Sequence, residues 1–345
     1  MALRETRTTF DIALVGATGA VGEVMLDVLE QRGFPVGRLF PLASSRSAGA
    51  RVEFKGQHLR VQDVAEFDFS QVQLVLFSAG GAVSAQHVPR AVAAGCVAID
   101  NTSVFRYETD VPLVVPEVNS HAIADYSQRG IIANPNCSTI QMAVALKPIY
   151  DAVGIERINV ATYQAVSGSG KRAIEELATQ TANLLNLKEV DCRVYPKQIA
   201  FNVLPHIDAF QDNGYTREEM KMVWETRKIL EDERIQVNAT AVRVPVFFGH
   251  SLAVHLETRD KIAAEQARVL LEKAPGISVL DSRKAGGYPT PVTDAVGQDQ
   301  VFVGRIREDI SHARGLDLWV VSDNTRKGAA LNSIQIAEIL VKEYL

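Results

Sequence analysis

"DIALVGATGAVGEVMLDVLEQRG", residues 11–33, decides the fold. "DIALVG" is an apolar run short enough for a buried strand, and "AVGEVMLDVLEQRG" (20–33) has the apolar spacing of an amphipathic helix. Gly33 and Pro35 end that helix. Between strand and helix stand Gly16, Gly19 and Gly22, a G-x-x-G-x-x-G corner. Glycines at such a turn let the backbone bend tightly and approach a pyrophosphate, which a helix N-terminus attracts. The spacing differs from G-x-G-x-x-G, so a plain strand-to-helix turn stands as the alternative.

Outward from this corner the pattern repeats. "RLFPLAS" (38–44), "QLVLFSAGG" (73–81), "CVAIDNTS" (96–103) and the apolar start of "IIANPNCSTI" (131–140) read as strands, with a helical "HVPRAVAAG" (87–95) among them. Strand and helix in alternation predict an α/β, Rossmann-like doubly wound parallel sheet. Ligands of such sheets sit at the carboxyl ends of the strands. Beyond it come longer valine- and aromatic-rich runs, 157–170, 238–250, 251–258 and 316–324, with a helix over 217–233. These predict an α+β domain with a mainly antiparallel sheet. The expected domains are 1–133 and 134–324, with a single long helix, 325–345, returning to the first.

The 345 residues leave room for two cores. With 47% hydrophobic and 22% charged residues the chain has a soluble globular profile, and its net charge of −5 gives no support to nucleic acid or an anionic membrane as partner. No apolar run reaches the roughly 18 residues of a membrane span. "MALRETRTTFDIALVG" lacks a signal-peptide layout, and three cysteines without framework spacing point to a reducing cytoplasm. No Cys or His pair has metal-ligand spacing, so no metal is expected.

The second strand ends without the acid that usually holds the ribose of NAD: none occurs between Glu30 and Glu53. Ser44, Ser45, Arg46 and Ser47 stand there instead, and arginine with hydroxyls suits a 2′-phosphate, hence NADP. "SGSGK" (167–171) lacks the first glycine of a Walker loop, and Arg172 replaces its Ser or Thr. It reads as a loop entering a helix near a cofactor.

Cys137 lies just past the apolar run of its strand, where Ser138 and Thr139 open a helix. A thiol there feels the helix dipole and loses its proton more easily, while a packed structural cysteine is the plain alternative. Cys96, within "AAGCVAID", reads as core, and Cys192 lies in a polar stretch.

These segments together resemble the aspartate-β-semialdehyde dehydrogenase family along essentially the whole chain. The likeness is carried by "VGATGAVG", "SAGG", "NTSVFRY", "VVPEVN", "IIANPNCST", "TYQAVSGSG", "FNVLPHID", "EEMKM", "RVPVFFGHS" and "DNTRKGAALN". The box Asn-Cys-Ser-Thr separates it from N-acetylglutamyl-phosphate reductases, where Gly-Cys-Tyr would stand. The resemblance implies reversible reduction of L-aspartyl 4-phosphate by NADPH to L-aspartate 4-semialdehyde and phosphate, through a thioester on Cys137. It places the enzyme in the biosynthesis of lysine, diaminopimelate, methionine, threonine and isoleucine, as a cytoplasmic homodimer.

By the same resemblance, Gln164 orients the acyl intermediate, and His250 is base for the thiol and then acid for the hemithioacetal oxygen. Arg106, Lys221 and Asn136 serve phosphate, Glu218 meets the substrate amino group, and Arg243 holds its α-carboxylate. Cofactor contacts are expected from Gly16, Thr18, Gly19, Ala20, Val21, Ser44, Arg46, Ser47, Ser78, Gly80, Ser167, Gly168 and Asn324. From the residues alone, the reading favoured for Lys221 and Glu218 is a solvated ion pair, and for His250, set at a strand-to-turn junction, a structural histidine; the resemblance reverses both. Arg243, between valines on an apolar strand, needs a partner for its charge whatever its role. Another acyl-phosphate reductase, or a non-catalytic relative with the same fold, is the competing reading.

Overall fold

The computed structural model describes residues 8–345, so the opening "MALRETR" lies outside the described residues. The chain divides into two compact units, residues 1–135 with 329–345, and residues 136–328.

The first unit holds a six-stranded sheet. Across it run Gln62–Asp63, Val36–Ala43, Phe10–Val15, Leu74–Phe77, Val97–Asp100 and Ile131–Ala133. Every neighbouring pair is parallel. Three of these strands, Leu74–Phe77, Val97–Asp100 and Ile131–Ala133, are buried at every residue. That explains why they read as unbroken apolar runs: helices cover both faces of a parallel sheet. The helix Ala20–Gln31 buries Met25, Leu26, Val28 and Leu29. They join Ile12, Leu14, Leu74, Leu76 and Ile99 in one core cluster, which also takes in Leu331, Ile334, Ile336, Ala337 and Leu340. The last segment is not one continuous α-helix. A π-helical turn at Arg326–Ala330 precedes the α-helix Leu331–Glu343.

The glycine corner is shaped by close approach. Gly16 has φ +91°, and a Cβ there would lie 2.5 Å from the Ser78 carbonyl oxygen. One on Gly22 would lie 2.1 Å from the Gly16 carbonyl oxygen. Neither position tolerates a side chain. Parallel pairing of Val15 with Leu42 and Phe77 brings "GATGAVG", the Ser44–Ser47 turn and Ser78 to one edge of the sheet.

The second unit has its own six-stranded sheet, ordered Gln236–Arg243, Ile155–Gln164, His250–Thr258, Gly315–Ser322, Val301–Glu308 and Ile277–Val279. The three inner pairings are antiparallel and the two outer ones parallel, so the sheet is mixed around an antiparallel centre. The run 238–250 is not one strand: the strand stops at Arg243, and His250 opens the next, which corrects the reading of His250 as a strand end. Pro245 and Gly249 lie in that gap, where the strand ladder does not continue. The helix Cys137–Val153 packs on this sheet beside the helices Arg217–Leu230 and Ala264–Lys273.

Candidate active site

Cys137 is the first residue of its helix, one position earlier than the sequence suggests, and Asn136 is the cap. Asn136 Oδ1 accepts from the main-chain N–H groups of Ser138, at 2.9 Å, and Thr139, at 3.3 Å. The same side chain donates from Nδ2 to Glu218 Oε1 at 2.9 Å, and its main-chain N–H donates to Glu225 Oε2 at 2.7 Å. A methyl group added at Gly328 would come within 2.8 Å of Cys137 Cβ, so the nucleophile candidate is packed from that side by bare backbone.

Glu218 is the junction of the cluster. Its Oε1 also accepts from Gln164 Nε2 at 3.1 Å, and its Oε2 lies 2.9 Å from Lys221 Nζ. Burial opposes ionisation of Glu218. The Lys221 charge and hydrogen bonds from Lys221, Asn136 and Gln164 outweigh it and pull the carboxyl down to about 2. Lys221 also bonds Asp208 Oδ2 at 2.8 Å. Burial works against its charge too, but Glu218 and Asp208 together raise its pKa. The pair is therefore not a solvated face: the Lys221 side chain is 13% exposed and that of Glu218 7%.

Arg243 and His250 meet at Ala165. Arg243, the last residue of its strand and paired in register with Gln164, is buried. Its Nη1 donates to the Ala165 carbonyl at 2.7 Å, and its guanidinium carbon stands 5.9 Å from the centre of the Tyr195 ring. Its Nε has no hydrogen-bond partner. No carboxylate among the described residues forms an ion pair with it. His250 is fully buried, and its Nδ1 accepts from the Ala165 N–H at 3.1 Å. The proton of the neutral ring is thereby left on Nε2, which has no partner. Burial pushes the ring pKa down to about 3, with the Arg243 charge acting the same way and Glu218 opposing. A Cβ at Gly168 would lie 3.3 Å from Arg243 Nη1 and 3.5 Å from His250 Nε2, so the bare backbone of the "SGSG" turn borders both.

Ser167 Oγ lies 3.1 and 3.0 Å from the two amide atoms of Asn324, whose Oδ1 also takes the Gly249 N–H at 2.9 Å. In the first unit, Ser44 and Arg46 are exposed and Ser47 half-buried, in a turn closed by Ser47 N–H to the Ser44 carbonyl at 2.9 Å. Thr18, Ala20 and Val21 are half-buried around Gly19, which caps the helix Ala20–Gln31 with no side chain in the way. Gly80, at φ +91°, caps the helix Gly81–Ala93. Arg106 belongs to this unit, is buried, and donates to the Asn101 carbonyl at 3.0 Å.

The second unit thus brings Asn136, Gln164, Glu218, Lys221, Gly168, Arg243 and His250 into one connected cluster, with Cys137 following Asn136 at the start of its helix. Cys96 is buried, donates to the carbonyls of Phe69 and Val72, and has its pKa pushed up to about 11 by burial, while Cys192 is exposed. Asp208, Glu225 and the main chain of Ala165 were not singled out in the sequence, although Asp208 closes "FNVLPHID" and Ala165 lies in "TYQAVSGSG".

Residues 11–126 match the family model described as semialdehyde dehydrogenase, NAD binding domain, and 146–327 that of semialdehyde dehydrogenase, dimerisation domain. An aspartate-semialdehyde dehydrogenase of Legionella pneumophila is 67% identical over 335 residues, 97% of this chain and 96% of that protein. The chain belongs to the aspartate-semialdehyde dehydrogenase family. Among solved structures of the family, aspartate semialdehyde dehydrogenase II of Vibrio cholerae, complexed with ASA, superposes with a TM-score of 0.96 at 61% identity, covering 98% of this chain and all of that one. The Candida albicans aspartate semialdehyde dehydrogenase with NADP gives a TM-score of 0.76 at 28% identity, covering 96% and 98%. Family membership makes the chain an oxidoreductase with a Rossmann-like nucleotide-binding unit. Among the described residues, no helix is long and apolar enough to cross a membrane, and no group of His, Cys, Asp and Glu is arranged to hold a metal ion.

Proposed function

We propose that the protein converts L-aspartyl 4-phosphate to L-aspartate 4-semialdehyde, reversibly and with NADPH, through a thioester on Cys137. The observation that carries this is the buried Arg243, which has no carboxylate partner among the described residues and lies beside a neutral His250. A guanidinium in that setting calls for an anionic group from outside, and the α-carboxylate of an amino-acid substrate supplies it.

The Cys137 thiolate attacks the acyl carbon, the carbon–oxygen bond to phosphate breaks, and phosphate departs. Lys221 offers its charge to that phosphate, and Arg106 of the first unit is assigned the same role by likeness to the family. Glu218, held ionised, meets the substrate ammonium, and Gln164 is placed by Glu218 to orient the acyl group. NADPH, when bound, supplies the hydride that reduces the thioester carbon. The Nε2–H of the neutral His250 ring suits a hydrogen bond to the hemithioacetal oxygen, while full proton transfer to that oxygen draws on the proton the ring takes from the thiol. The base half, removal of the thiol proton, needs the other tautomer, which the Ala165 N–H disfavours. Collapse of the hemithioacetal releases aldehyde and restores the thiol.

The first unit fits a dinucleotide: its glycine corner leaves main-chain room at a helix N-terminus. Arg46 with Ser44 and Ser47 would take the 2′-phosphate. Ser167, Gly168 and Asn324 of the second unit are the other cofactor contacts proposed. The dimerisation-domain match supports a homodimer. Lysine, diaminopimelate, methionine, threonine and isoleucine biosynthesis in the cytoplasm is the setting this reaction serves.

The test is phosphate-dependent reduction of NADP with aspartate semialdehyde, run beside Cys137→Ser. The variant should fold and bind NADPH yet lose nearly all turnover, because an alcohol is a poor nucleophile at neutral pH. Rapid quench of the wild type should trap acyl label on Cys137. Label on Cys96 or Cys192 would refute the assignment.

A further inference from the structure

We infer that Glu225 is a positioning residue for the nucleophile, its carboxylate fixing the main-chain turn that presents Cys137. This rests on the reading of Cys137 as the attacking group.

Glu218 and Glu225 stand seven residues apart on the helix Arg217–Leu230, two turns along one face. Both reach the same residue. Glu218 Oε1 takes the Asn136 side-chain amide at 2.9 Å, and Glu225 Oε2 takes the Asn136 main-chain N–H at 2.7 Å. Asn136 Oδ1 is meanwhile spent on the first turn of the cysteine helix. The residue before the nucleophile is thus held by its backbone nitrogen and by both atoms of its amide. A buried N–H needs an acceptor, but a carbonyl or a water would satisfy it. Glu225 has zero exposure, and bringing a carboxylate that deep costs more than a neutral acceptor would. What the long side chain offers is reach from a second, independently anchored element.

That anchoring is visible. Thr216 and Glu219 form a capping box at the start of the same helix, and Glu219 Oε1 accepts the Ala241 N–H at 2.9 Å. Ala241 lies two residues before Arg243 on its strand. One helix therefore fixes the strand that carries the proposed carboxylate-binding arginine and, through Glu225, the turn that carries the thiol. The separation of sulfur and guanidinium, which sets the angle of attack on the acyl carbon, is defined through this helix. Misplacement of a reacting group by about 1 Å costs on the order of 100-fold in rate.

The experiment compares Glu225→Ala and Glu225→Gln in the full-length protein, measuring kcat, KM for aspartate semialdehyde and for NADP, and melting temperature. The alanine variant should lose about 100-fold in kcat while both KM values stay within about three-fold, because the binding groups are untouched. Glutamine keeps an acceptor oxygen for the Asn136 N–H and should recover kcat to within about five-fold of wild type. A folded alanine variant with near-normal kcat, or a glutamine variant as slow as alanine, overturns the proposal. Should alanine not fold, Glu225→Asp replaces it: one methylene shorter, it should be slower than glutamine by about ten-fold or more, and equal rates overturn the proposal. Full turnover in Cys137→Ser would instead sink the underlying reading, whatever the Glu225 variants do.

Discussion

Ala165 donates its main-chain N–H to Nδ1 of His250 across 3.1 Å, and its carbonyl accepts from Arg243 Nη1 at 2.7 Å. One peptide residue thus fixes a histidine tautomer and aims a guanidinium. The ring is neutral, buried and committed to donating from Nε2.

This commitment has a pH signature. The folded-state pKa of His250, about 3, lies below the 6.5 of an unconstrained ring, so protons bind the unfolded chain more readily. The stability tied to its neutrality is complete above about pH 6.5 and is lost as pH falls from there toward about 3, on the order of 5 kcal/mol in all. His250→Asn should lack that window. Unfolding free energies from denaturant titrations at about pH 7 and about pH 4 should drop less in the variant than in the wild type. Parallel losses would show that the ring is not the neutral, buried group described.

Arg243→Lys tests the substrate carboxylate. Lysine offers a point charge where the guanidinium offers two parallel donors. KM should rise and kcat fall, with kcat/KM down about 100-fold or more, about 3 kcal/mol of transition-state stabilisation. NADPH affinity should stay near wild type. A lower melting temperature with normal kcat/KM would make Arg243 a structural residue, bound to Ala165 and Tyr195 alone.

Gly328→Ala probes the packing behind the nucleophile. The new methyl would lie 2.8 Å from Cys137 Cβ and 3.3 Å from its Cα, so either the cysteine or the turn must move. Overpacking of this kind costs roughly 1–3 kcal/mol. The displaced thiol should lower kcat about ten-fold or more. The rate of Cys137 alkylation by iodoacetamide should change with it. Unchanged alkylation and turnover would mean that the turn yields and the thiol does not.

Arg46→Ala addresses coenzyme choice. Loss of one charge-assisted contact to a 2′-phosphate should weaken NADPH by roughly 10- to 100-fold and leave NADH unaffected. Fluorescence titration with both coenzymes decides it, and equal weakening of the two would remove Arg46 from the phosphate.

The sequence carried those parts of the molecule whose cause is local. The strand–glycine–helix corner was legible because the period changes there and because Gly16 and Gly22 leave no room for a side chain. The parallel sheet followed from unbroken apolar runs, and Arg243 stood out as a charge on an apolar strand. What sequence did not carry is contact across distance. Glu225 lies 89 residues from Asn136, and nothing local to either announces the bond. Asp208 beside Lys221 and Ala165 beside His250 were hidden for the same reason. His250 was set on the wrong side of its turn because valines and phenylalanines continue past Arg243, while the ladder that defines a strand does not.

The nucleotide-binding unit is finished by residues that follow the whole of the second unit in the chain. Leu331, Ile334, Ala337 and Leu340 fill the same cluster as Ile12 and Leu14, and Asn332 donates to the Val114 carbonyl and to Asn134. Residues 136–328, by contrast, are contiguous and can complete their own sheet without any later segment. The order of completion is therefore inverted relative to the order along the chain: the unit that begins first keeps part of its apolar surface uncovered until the helix Leu331–Glu343 docks. A released chain truncated after Gly328 should resist protease across the second unit and remain sensitive across the first, and that uncovered surface is what a chaperone has most to protect.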